Sequence, residues 1–127
     1  MKRIRFLFGA LLAATLLAQH TSTFNLGTLS AVATTNPVNI GVVAHKHTLQ
    51  VTVAGSPSTC TIELDGTLDD VVLTASPNWQ NLSGSQTCTS STAFSVVDRP
   101  VTGIRGNLTA LSGGSSPTVT LKYVGVQ

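Results

Sequence analysis

The chain has 127 residues, of which 9% are charged, and it carries 13 serines and 19 threonines. That length suits one domain able to close its own core. The formal charge of +2 comes from Lys2, Arg3 and Arg5; the remaining four basic residues against five acids leave −1, so no basic stripe is available for phosphates and nucleic-acid binding is not expected.

Met1 to Arg5 is a positive n-region, and Phe6 to Ala18 is an apolar run of thirteen residues. This is the form of a secretory signal, and it is too short for an ordinary membrane span. Cleavage after Ala18 would place Leu16 at the −3 position, where a small residue is wanted. The competing expectations are a retained arm docked on a neighbouring subunit, or an extra core element. In the first of these, Ile4, Phe6, Leu7, Phe8, Leu11, Leu12, Leu16 and Leu17 form an assembly contact. An apolar run of this size must be covered, and deleting residues 4–18 is then expected to abolish incorporation while leaving the domain folded. The chain thus divides into an N-terminal segment, 1–20, and a β-domain, 21–127.

Turn formers lie around Asn25–Gly27 and Asn36–Pro37, and this stretch reads as a short strand near Phe24 to Leu29 and a loop from Ala33 to Asn39. Then Leu49, Val51 and Val53 alternate with Thr48, Gln50 and Thr52. Across a GSPS turn, Cys60, Ile62 and Leu64 alternate with Thr61, Glu63 and Asp65. Period-two alternation buries one face of an antiparallel sheet and wets the other. Asp65-Gly66 is read as the closing turn. Asp69 to Asn78 reads as irregular, with a short strand at Val71 to Leu73, and Asn81 to Gly84 is a further turn.

A strand at Ala93 to Val97 sets Phe94 and Val96 on one face, and Arg99-Pro100 breaks it. Val101 to Leu111 resumes with Ile104, Gly106, Leu108 and Ala110 inward. After the Ser112 to Pro117 loop, Val119, Leu121 and Tyr123 face the core. Turn signals every ten or so residues predict an all-β, antiparallel sandwich or jelly roll of seven or eight strands. Its expected core is Leu49, Val51, Val53, Ile62, Leu64, Phe94, Val96, Ile104, Leu108, Val119 and Leu121.

Little here promises chemistry. Cys60 on an apolar face suits a buried thiol, or a disulfide with Cys88 that staples a small domain; the second is the expectation. His45 and His47 share a strand face by spacing, and without a third ligand they read as two solvent-facing residues. Asp65, Asp69 and Asp70 match no defined calcium-loop spacing and read as turn chemistry. Trp79 is the candidate surface aromatic, either a sugar platform or, more plainly, an edge-packing residue with Leu82 behind it. Asn81-Leu-Ser83 and Asn107-Leu-Thr109 match a glycosylation sequon. No G-x-S-x-G elbow, phosphate-cradling loop or paired carboxylates are present, so a non-enzyme without cofactor or metal is expected.

Taken together, Leu64-Asp-Gly-Thr-Leu-Asp69, Trp79, Ile104-Arg-Gly-Asn-Leu-Thr109 and Ser112 to Pro117 resemble the small β-sandwich structural proteins of tailed bacteriophage virions. The likeness covers about Thr48 to Val124; Asp70 to Pro77 is longer than that pattern. It implies a non-enzymatic virion component, a capsid decoration or tail-associated protein that packs against its own copies and neighbouring particle proteins. The alternative is a secreted, extracellular β-sandwich module for carbohydrate binding, adhesion or fibre assembly.

Overall fold

The computed structural model describes residues 19–127. They form eight strands: β1 (Thr21–Leu29), β2 (Ala33–Thr34), β3 (Val38–Ala54), β4 (Thr59–Thr67), β5 (Gln80–Asn81), β6 (Gln86–Thr87), β7 (Thr92–Ser112) and β8 (Thr118–Val126). All pairings are antiparallel, along the path β1-β8-β3-β7-β4-β5, with β2 joined to β7 and β6 to β4. The fold is all-β, as the alternation requires. The assembly contact expected at Ile4, Phe6, Leu7, Phe8, Leu11, Leu12, Leu16 and Leu17 lies outside the described residues.

Two unusually long strands, β3 with 17 residues and β7 with 21, organise the sheet. The later part of β3 lies between β8 and the first part of β7, whereas the later part of β7 lies beside β4. Between these parts Ala44 faces Val101 and Lys46 faces Val97, so Asp98, Arg99 and Pro100 stand opposite His45 alone. The expected break at Arg99-Pro100 is therefore a bulge inside a continuous strand. Proline has no N–H to give a ladder and is accommodated at such a position; Asp98 takes the left-handed conformation, φ 58°, which Asp tolerates better than most residues.

The two parts of the sheet pack on each other across this bend. Leu121 of β8 lies directly against Gly106 of β7, where a Cβ would collide with it, and Thr35 closes the same spot. Leu49, Val51, Ile62, Leu64, Ile104, Leu108, Val119, Leu121 and Tyr123 are fully buried between the layers. Val53, Phe94 and Val96, expected in the core, only pack against its margin. Among the described residues, the first part of β7 has β3 as its sole strand partner.

Several local expectations are corrected. Asp65-Gly66 does not end its strand: Asp65, Gly66 and Thr67 continue the ladder to Arg105, Ile104 and Gly103 of β7, and β5 pairs with Asp65 and Gly66 on the other side. Within the expected loop at Ala33 to Asn39, β2 and the start of β3 pair with β7, and Thr35 exchanges two 2.9 Å hydrogen bonds with Gly106. Another bulge sets Thr61 and Ile62 opposite Ala110 and Leu108. It reverses the inward parity, so Leu111 rather than Ala110 packs on the core. Val71 to Leu73 is a turn and not a strand. The Asp70 carboxylate accepts from the Val72 and Leu73 amides at 2.8 and 3.2 Å, and its carbonyl accepts from Thr74 N at 2.8 Å. Local side-chain bonding of this kind competes with a ladder.

At the far end, the Ser112 to Pro117 connection folds onto the Gly55 turn. Ser115 N donates to Gly55 O at 2.8 Å. Gly114 has φ 71°, and a Cβ there would strike the backbone of Gly55 and Ser56. Only glycine fits both demands.

Candidate functional site

Three of the four segments that carry the resemblance meet on the outer face of the β4–β7 layer. Asp65 of β4 stands opposite Arg105 of β7, and Arg105 Nε donates to Asp65 Oδ2 at 3.0 Å. Trp79, in the connection leading to β5, lies over the guanidinium with its ring centroid 4.4 Å from Cζ. Stacking of this type orients Arg as well as attracting it. Asp65 is buried under this cover at 4% exposure. Burial pushes its carboxyl above the usual range, and the Arg105 hydrogen bond and charge oppose that. Trp79 is half-buried, with one ring face taken by Arg105. That arrangement ties loop to sheet and leaves no open stacking platform on that face.

The three aspartates considered for calcium are held apart by separate tasks. Asp65 binds Arg105, Asp69 Oδ2 accepts from Asn78 N at 2.6 Å, and Asp70 caps its own turn. Among the described residues no three His, Cys, Asp or Glu side chains gather as metal ligands would. A cleft of about 220 Å³ between Thr67–Asp69 and Pro100–Val101 has Asp69 as its one ionisable lining group. A second ionisable group for proton transfer is missing from its walls.

His45 and His47 do not share a face. The bulge between Ala44 and Lys46 leaves His45 exposed and turns His47 inward to 1% exposure. His47 Nε2 lies 2.7 Å from Arg99 O, and Nδ1 lies 2.7 Å from the Tyr123 hydroxyl. A carbonyl only accepts, so Nε2 carries the proton and Nδ1 accepts from Tyr123. This pair, 76 residues apart in sequence, was missed as a unit. The one available signal was Pro100 within a β-run, which marks a bulge and hence a change of parity.

Burial lowers the His47 pKa, His45 adds to that, and the Arg99 hydrogen bond opposes it. The unfolded chain therefore binds a proton more readily than the folded one. The stabilisation from His47 is complete above the ordinary histidine value of about 6.5 and is lost as pH falls below it. Asp65 shifts the opposite way, so its titration does not produce this loss. Thermal unfolding from pH 8 to 5 should show a falling midpoint for the native chain and a flattened dependence for His47→Gln. An equal slope in both would assign the effect elsewhere.

Cys60 and Cys88 form a disulfide with Cα atoms 4.9 Å apart. Both are buried, and Cys88 N donates to Cys60 O at 2.9 Å. Asn81 is exposed, with its side chain accepting from Gly84 N at 2.8 Å; Asn107 lies half-buried within β7. No helix among the described residues is long and apolar enough to cross a membrane.

No family model and no curated protein matches the chain. Among solved structures it is similar to the SPBc2 prophage-derived protein YomS, at 13% identity and TM-score 0.55, covering 86% of this chain and 95% of that one. A match to a chain of the T13 IBDV viral particle has 11% identity and TM-score 0.39, covering 85% of this chain and 30% of that one. The first likeness establishes a shared fold.

Proposed function

We propose that this chain is a non-enzymatic structural protein of a tailed-phage particle, present in many copies and acting through protein–protein packing. The observation that carries the reading is the convergence of Asp65, Trp79 and Arg105. Three separated segments of the virion-like pattern meet as an ion pair under an indole, which is a device for holding a loop rigid on a sheet. The fold shared with a prophage-derived protein supports the same class. A surface of hydroxyls with few charges also suits close packing among copies, since self-repulsion is weak. The covered ring face of Trp79 disfavours the carbohydrate-binding alternative.

Quantitative mass spectrometry of gradient-purified particles tests this. Peptides from residues 19–127 should co-purify at a copy number comparable with other repeated shell or tail components. Recovery only from culture medium, with none in particles, would favour the secreted module.

A further inference from the structure

The connection between β4 and β5 presents Leu68, Val72 and Leu73 at 66%, 77% and 84% exposure. One exposed Leu is ordinary, but three within six residues on a tightly built turn form an apolar knob. The knob is preformed. Asp70 caps it, Asp69 ties it to Asn78, and Val71 turns inward against Gly103. Little ordering would remain to be done on docking.

On the other layer, the outward rows of β8, β3 and β7 enclose a groove of about 400 Å³. Ala93 and Val124 supply apolar wall, and Lys122 stands on the rim. Lys46 lies on the same outward face, since Lys46, Thr48 and Gln50 pair in turn with Val126, Val124 and Lys122. No acid occupies these outward rows. Among the described residues the sole ion pair is Arg105–Asp65, so neither these lysines nor the knob's Asp69 and Asp70 are in salt bridges.

We infer that the knob of one chain docks into the groove of a second copy. Apolar tip meets apolar wall, and Asp69 and Asp70 approach Lys46 and Lys122. The charge complementarity sets the orientation. Knob and groove are different surfaces, so the contact is head-to-tail and repeats into a ring or filament. This rests on the multi-copy reading above and supplies its contact.

The test uses the full chain with Leu73→Glu, which damages the knob, and Ala93→Glu, which places an acid in the groove. Both positions are exposed, and unchanged melting shows that each variant folds. In sedimentation velocity the wild type should associate with concentration, and each variant alone should associate at least about tenfold more weakly. An equimolar mixture should form heterodimers, because one partner keeps its knob and the other its groove. Variants that associate like wild type, a mixture that fails to pair, or a wild type monomeric at every concentration overturns the contact. Such a failure with the chain still present in particles removes only this contact; absence from particles with heterodimers intact removes only the virion reading.

Discussion

Truncating Leu108 to alanine is expected to lower the unfolding free energy by about 2–5 kcal/mol, the range for a buried Leu that leaves a cavity. Leu108 is at 0% exposure on β7, with Ile62 of β4 on one side and Ala33 of β2 on the other. Neighbouring strands are fixed by ladders on both sides, so the site has little freedom to collapse. Denaturant titration should show a lower midpoint with an unchanged slope, the signature of lost stability rather than an altered unfolded state. A loss below about 1 kcal/mol would mean that the side chain is not enclosed and would sink the register assigned to β7.

Removing the Cys60–Cys88 bond should cost about 3–4 kcal/mol, from the entropy returned to an unfolded chain whose cross-linked residues are 28 apart. The bond also closes the segment that contains Trp79, β5 and β6, none of which makes an extended ladder of its own. Cys60→Ala/Cys88→Ala should therefore lose global stability and gain amide exchange over residues 68–87 first. Native protein, denatured without reductant, should show no reactive thiol. Two labelled thiols, or a double variant as stable as the parent, would contradict the staple.

The alternation from Leu49 to Val51 and from Cys60 to Leu64 was legible because period two is a local property. A bulge is not. It adds residues to one strand only, and its consequence, reversed parity, shows up in side chains such as His47 and Leu111. One residue of slip moves a whole row to the other face. The His47–Tyr123 bond and the Asp65–Arg105–Trp79 contact depend on which strands become neighbours, which alternation does not specify. Val71 to Leu73 misled for a simpler cause. Its β-branched run suits a strand, but the Asp70 carboxylate captures the amides a ladder would need. The motif residues Asp65, Trp79 and Arg105 could be read from the resemblance, yet their role as a lock emerges only when all three are placed together.

The proposed role is that of a repeated part of a phage particle. Electron cryo-microscopy of purified particles tests it most directly. Density for the bent β3 and β7 strands is expected at symmetry-related positions on head or tail, each copy in contact with another protein chain. Fully occupied particles in which no density accommodates this sheet would contradict it.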